Sequence, residues 1–162
     1  SLCSCRSTCT ETVGVSMKIL KKPDVFLKGP TQNVEIPLSD ENKIIIGNMI
    51  NIMYQSNGVG LAANQVGYNR RIFVIDSSNE RNKPQIFVNP KIEKRAKEKL
   101  AEEEGCLSCP GDLIQVRRPI YVALSWFCEH GKEQYKTFYH LPARIVQHEM
   151  DHLDGKLITD LS

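Results

Sequence analysis

Leu141-Pro142-Ala143-Arg144-Ile145-Val146-Gln147-His148-Glu149-Met150-Asp151-His152-Leu153-Asp154-Gly155 decides how the rest of this chain is read. Pro142 suits the first turn of a helix, where its missing N–H leaves no bond unmade, and Gly155 can stop one. The spacing predicts a helix from about Leu141 to Leu153. On it His148 and His152 lie four residues apart, about 40° around the axis, so both imidazoles can grip one ion. Glu149 points to one side of that pair, where it reaches a metal-bound water without ligating the metal. The bland alternative is a solvated surface helix with two histidines and an acid.

Upstream of this helix the chain reads as strands. Gln134–Tyr139 follows the turn Glu129-His130-Gly131-Lys132, and Ile120–Phe127 is divided from Asp112–Arg117 by Pro119, which cannot donate to a sheet ladder. Earlier strand-like runs are Arg71–Asp76, Gln85–Asn89 and a long charged stretch from Lys91 to Glu104. A second helix is expected from Leu38 to Gln55, capped by Ser39 or Asp40, with Ile45, Met49, Ile52 and Met53 at helical spacing and Asn57-Gly58 closing it. Strands bracketed by two helices argue for an α+β fold in a single domain.

An open catalytic metal site needs a third protein ligand and a position left for water. Cys106, in Glu104-Gly105-Cys106-Leu107-Ser108, is the leading candidate, since a thiolate suits Fe(II), Zn(II) or Ni(II). Most single cysteines are small buried hydrophobes instead. A rival metal reading joins Cys106, Cys109, His148 and His152 in a closed structural zinc site. Against it, Glu149 would have no purpose there, and the two pairs lie farther apart than in a zinc finger. The loop Gly58-Val59-Gly60-Leu61-Ala62-Ala63-Asn64-Gln65 is neither a dinucleotide fingerprint nor a phosphate loop. Its small residues allow close backbone approach to a ligand, and Gln65 can offer an amide donor to an oxyanion.

Composition narrows the classes further. The 162 residues are 25% charged and 41% hydrophobic with a net charge of +2, ordinary for one globular domain and too weak a field to argue for nucleic acid. Lys91, Lys94, Arg95, Lys97 and Lys99 form a basic run, but Glu102, Glu103 and Glu104 follow directly, so a solvated strand or loop is the better reading. No apolar stretch is long enough to span a bilayer. Cys3, Cys5 and Cys9 crowd an aperiodic Ser- and Thr-rich opening, read as a tail, a tag or a targeting remnant over residues 1–16. The body cysteines are too unevenly placed for a disulfide framework, which favours a reducing compartment.

Gly58–Gln65, Glu104–Ser108 and Gln147–Gly155 together closely resemble, in order, the three signature motifs of the peptide deformylase family. These are Gly-x-Gly-x-Ala-Ala-x-Gln, Glu-Gly-Cys-Leu-Ser and Gln-His-Glu-x-Asp-His-Leu-x-Gly, and the likeness runs from about Met17 to the C-terminus. The resemblance implies antiparallel β-sheets packed around a central helix bearing His148 and His152. It implies one divalent ion held by Cys106, His148 and His152, Fe(II) in the cell, with Zn(II) or Ni(II) replacing it after handling. It implies removal of the N-formyl group from N-formyl-methionyl peptides, at the ribosome exit, by a cytoplasmic monomer with no membrane or specific nucleic-acid partner; an organelle is the alternative if residues 1–16 belong to a transit peptide. Glu149 would move the water proton to the leaving amine, and Gln65 and the N–H of Leu107 would stabilise the oxyanion. Val59, Leu141 and Ile145 would line the methionine pocket, with Gly60 a backbone anchor and Gly105 beside the substrate. Glu104 would pair with Arg118 behind the cysteine loop, while Arg144 would either contact the peptide or be solvated.

Two readings compete with this one. A different metallohydrolase, such as an aminopeptidase or protease, would need a His or Glu ligand downstream of His152, where little chain follows. A metal-stabilised binding module would show four protein ligands and no exchangeable water.

Overall fold

Residues 17–161 are described by the computed structural model; the expectation for residues 1–16 lies outside them. The first helix, α1 (Asp40–Gln55), starts where the Ser39 hydroxyl accepts from the Asn42 N–H at 3.1 Å. Ser39 is therefore the cap, and Asp40 and Glu41 fill the first turn, where carboxylates meet the positive end of the helix dipole. The helix ends on Ser56, and the left-handed residue beyond it is Asn57 (φ 56°) rather than Gly58. Asparagine tolerates that conformation because its short polar side chain can bond locally. Gly58 serves another need, since a Cβ there would lie 2.8 Å from Leu107 Cδ1.

Seven strands follow: β1 (Gly60–Ala62), β2 (Ile72–Ile75), β3 (Gln85–Arg95), β4 (Lys99–Cys106), β5 (Cys109–Pro119), β6 (Tyr121–Phe127) and β7 (Glu133–Tyr139). They form a five-stranded sheet in the order β1-β2-β3-β6-β7 and a two-stranded ribbon β4-β5, with every pairing antiparallel. The second helix, α2 (His140–Leu153), carries the two histidines. The α+β expectation is met. The charged stretch from Lys91 to Glu104 is not one run: it divides into the second half of β3 and all but the last two residues of β4. Pro90 sits inside β3, where the register shifts between Val88 and Lys91, so the missing N–H falls at an irregularity and costs no ladder bond.

Alternation along β2 explains how the two helices are held. Phe73 and Ile75 pack with Ala143, Val146, Met150 and Leu153 of α2 on one face. Ile72 and Val74 pack with Ile45, Met49 and Met53 of α1 on the other. A strand buried on both faces reads as an unbroken apolar run, as Ile72–Ile75 does. A third cluster, Leu27, Cys109, Val116, Leu157 and Ile158, fastens the β4-β5 ribbon beside α2. This arrangement holds α2 between the sheet and the ribbon.

Gly155 closes α2 with φ 78°, and a Cβ there would lie 2.3 Å from the Lys28 carbonyl oxygen. Gly155→Ala combines left-handed strain with a backbone clash, and is expected to cost about 2–4 kcal/mol. Thermal unfolding should show a midpoint lower by at least about 4 °C. An unchanged midpoint would contradict the packing of the Lys28 segment against this turn.

Candidate metal centre

Cys106 Sγ, His148 Nε2 and His152 Nε2 converge beside the C-terminal half of α2. Cys106 Sγ lies 3.3 Å from His152 Nε2, the two imidazole nitrogens lie 3.1 Å apart, and one ligand atom from each residue falls within 4.8 Å of the others. The histidines meet because four residues of helix bring their rings to one face. Cys106 joins them because it ends β4, at the irregularity where the ribbon turns back through Leu107 and Ser108 to Cys109. Lone pairs this close repel unless a proton or a cation lies between them, and a thiol with two imidazoles suits a divalent transition metal. The donor set therefore fits the implied ion.

Electrostatics carry the same mark of crowding. Burial opposes charge on His148, but contacts with Cys106 and Glu104 outweigh it and lift its pKa to about 10. His152 is pushed well below its ordinary value by burial and by the neighbouring His148. Nδ1 of His148 lies 3.0 Å from Glu104 Oε1, which leaves Nε2 as the metal-facing atom.

Glu104 anchors the surrounding network. Its carboxylate accepts from Arg118 Nε at 2.6 Å and Nη2 at 2.8 Å, and from Arg144 Nη1 at 2.6 Å. Burial would raise its pKa, yet Arg118 and His148 hold it near about 2. Arg118 also donates to Asp151 at 2.6 Å, so the Glu104–Arg118 pair expected behind the cysteine loop extends back to α2. Arg144 lines the cleft but is only 8% exposed, so the solvated alternative does not hold. Its guanidinium is taken up by Glu104, by Glu102 at 3.0 Å, and by the carbonyls of Val116 and Leu100 at 3.0 and 2.7 Å. A buried cation so fully paired ties α2 to the ribbon rather than waiting for a ligand.

Glu149 differs from Glu104. It is buried, Oε2 finds no hydrogen-bond partner, and burial pushes its pKa up to about 7 against the pull of His148 and Arg118. Gly60 lies directly over it, for a Cβ at Gly60 would fall 2.7 Å from Glu149 Oε1. Gly60→Ala should therefore push this carboxylate aside. We expect at least about a tenfold loss of turnover with metal retained, because small misplacements of a reacting group are costly. Turnover equal to that of the unaltered chain would show that the carboxylate has room to move.

A cleft of about 400 Å³ opens over these groups. Val59, Gly60, Gln65, Gly105, Leu107, Leu141, Arg144 and Ile145, all expected around the substrate, line it together with Cys106, His148 and Glu149. Val59 and Leu141 are exposed at its mouth, while Ile145 is buried. Gln65 is held by Ala62 N–H donating to Oε1 at 3.0 Å, and its Nε2 donates to Ser108 Oγ at 3.0 Å and toward Cys106 Sγ at 3.8 Å. Ser108 as the support for Gln65 was not anticipated, although it stands inside the cysteine motif. Cys109 is not part of the converging group, which leaves three candidate protein ligands rather than four among the described residues. Its thiol is buried among apolar side chains and is pushed up to about 11, first by burial and then by Cys106.

The β1 strand lies at the edge of the five-stranded sheet. Asp76 N–H donates to Val59 O at 2.9 Å, and the register Gly60↔Ile75 and Leu61↔Val74 then directs the peptide groups of Gly60 away from β2. An unpaired strand edge thus borders the cleft.

The family model described as polypeptide deformylase matches residues 16–162. A peptide deformylase of Synechocystis sp. is 37% identical over 139 residues, covering 85% of this chain and 74% of the relative. Among solved structures, a probable peptide deformylase of Synechococcus phage S-SSM7 superposes with a TM-score of 0.86 at 36% identity, covering 91% of this chain and all of the other. A class I type b peptide deformylase of Acinetobacter baumannii, solved with Met-Ala-Ser bound, gives 0.85 at 32% identity over 91% of this chain and 99% of its own.

Proposed function

The chain belongs to the polypeptide deformylase family, metal-dependent hydrolases that remove the N-formyl group from new polypeptides, and from that premise we propose how its own residues carry out the reaction. Cys106, His148 and His152 hold one divalent ion, Fe(II) in the cell. When bound, such an ion supplies Lewis acidity toward water and toward a carbonyl. The Glu149 carboxylate takes the proton of the attacking water and returns it to the departing amine nitrogen, so the formyl amide and one water become formate and a free N-terminus. Gln65 Nε2 and the Leu107 N–H donate to the oxygen on which charge develops. The peptide backbone pairs with the free edge at Gly60, and the methionine side chain enters between Val59, Leu141 and Ile145. Glu104 keeps the His148 proton on Nδ1, with Arg118 and Arg144 compensating its charge.

The observation that carries this reading is a buried carboxylate on Glu149, one oxygen unpartnered, lining the same cleft as the ligand candidates Cys106 and His148. A structural metal centre would have no use for it. Peptides beginning with formyl-methionine are the proposed substrates, and the cytoplasm is the proposed compartment. Among the described residues no helix is long and apolar enough to cross a membrane.

The test is an anaerobic assay on formyl-Met-Ala-Ser, with metal measured on the same sample after loading with Fe(II), Ni(II) or Zn(II). Formate release should scale with bound metal and stop on chelation. The iron form should lose activity in air and keep it under argon, because both the ion and its thiolate ligand can be oxidised. A fully loaded protein that releases no formate would sink the assignment, and equal iron-form lifetimes with and without oxygen would remove iron.

A further inference from the structure

The loop between β2 and β3 carries a brace that the chemistry above does not use. Arg81 stands in it with φ 56°, a left-handed conformation that is uncommon for a long side chain. Its Nη2 donates to the Gly58 carbonyl and its Nη1 to the Asp76 carbonyl at 3.1 Å. The guanidinium carbon lies 5.2 Å from the centroid of the Tyr54 ring, within cation–π range. Tyr54 in turn donates its hydroxyl to the buried Asp76 carboxylate at 2.6 Å. That carboxylate also accepts from the N–H groups of Ser78 and Lys83, at 2.8 and 3.1 Å, which folds the loop back onto α1.

The consequence falls on one wall of the cleft. Arg81 holds the carbonyl of Gly58, and the Asp76 N–H holds the carbonyl of Val59. The next residue is Gly60, whose outward peptide groups form the free edge and which rests on Glu149. On the same wall Gly58 rests on Leu107. Two glycines in three residues give this wall little stiffness of its own, so its height must be set from outside. A left-handed arginine is a cost that persists only where its surroundings over-determine it, and such residues gather at ligand clamps.

We propose that Arg81 is a positioning residue for peptide binding: its guanidinium holds the Gly58–Gly60 wall at the height where the Gly60 edge can pair with a peptide backbone. The proposal rests on the deformylase reading and adds a part that none of the three motifs contains.

The experiment uses the metal-loaded chain with Arg81→Gly and Arg81→Lys. Glycine removes the guanidinium and also relieves the left-handed backbone, so stability is spared while the brace is lost. Arg81→Gly should keep its metal and its melting temperature, raise KM for formyl-Met-Ala-Ser about tenfold and leave kcat within about twofold, the pattern of lost ground-state binding. The dissociation constant of Met-Ala-Ser, measured by calorimetry, should rise in parallel. Arg81→Lys should recover part of both, since an ammonium can still donate to one carbonyl. KM and Met-Ala-Ser affinity unchanged in Arg81→Gly would overturn the proposal. So would a fall in melting temperature and metal content that accounts for the loss, because the role would then be general stability. If the unaltered metal-loaded chain releases no formate, the deformylase reading itself fails. An active parent with an indistinguishable Arg81→Gly defeats the brace alone.

Discussion

Glu149→Ala should keep its metal at the level of the unaltered chain and lose at least about a hundredfold in turnover, the scale of general acid–base catalysis. The side chain lies within the site without belonging to the converging ligand group, so its removal subtracts a proton carrier and leaves the three donors intact. Stability supplies a second readout. Glu149 is buried with one carboxylate oxygen unpartnered, an arrangement that costs folding free energy. Its loss should leave the melting temperature unchanged or higher, as expected where a site keeps a costly group for activity. The isosteric Glu149→Gln should match the alanine variant in turnover, since shape is kept and proton uptake is not. Metal loss in proportion to activity loss would show that Glu149 is a ligand and that its role is misassigned.

The second large effect separates an open site from a closed one. Cys106→Ala removes one of three ligands, and a charged one when deprotonated, so metal content and turnover should both collapse. Cys109→Ala should keep metal and most activity, because Cys109 lies in the apolar cluster with Leu27, Val116, Leu157 and Ile158. Truncating that buried thiol should cost about 1 kcal/mol, an ordinary core loss. A closed zinc site requires the reverse, with either cysteine equally necessary and the chain unfolding without metal. Both variants are to be purified in parallel and measured for metal and formate release. If Cys109→Ala loses its metal as completely as Cys106→Ala, the three-ligand site is wrong.

Legibility in the sequence followed the range of the interaction. The Ser39 cap and the span of α2 come from contacts within a few residues, and the expectations met the structure there within one or two positions. The β1 strand was missed because Gly60-Leu61-Ala62 offers no alternation to read; its pairing with β2 makes it a strand. The run of β3 through Pro90 was hidden because proline argues against an interior strand unless the partner's register is known. Arg144 stood on the correct face of α2, yet nothing along the chain reveals that Glu102, Glu104 and two ribbon carbonyls consume it. The brace of Tyr54, Asp76 and Arg81 left no pattern at all, since three elements contribute one group each.

The sequence by itself determined which atoms could do the chemistry. A four-residue helical step sets His148 against His152, and the residue between them that points aside is an acid; both follow from backbone geometry that needs no tertiary partner. Tertiary structure alone decided that Cys106, 46 residues before His152, ends within 3.3 Å of it while Cys109 turns into the core. It alone left Glu149 buried with one oxygen unpartnered and set two arginines and the His148 imidazole around Glu104. The reason is physical. Donor identity and local spacing are carried by covalent connectivity, whereas burial and charge compensation arise only when the ribbon and the sheet close on α2, and the free edge at Gly60 only when β1 pairs with β2.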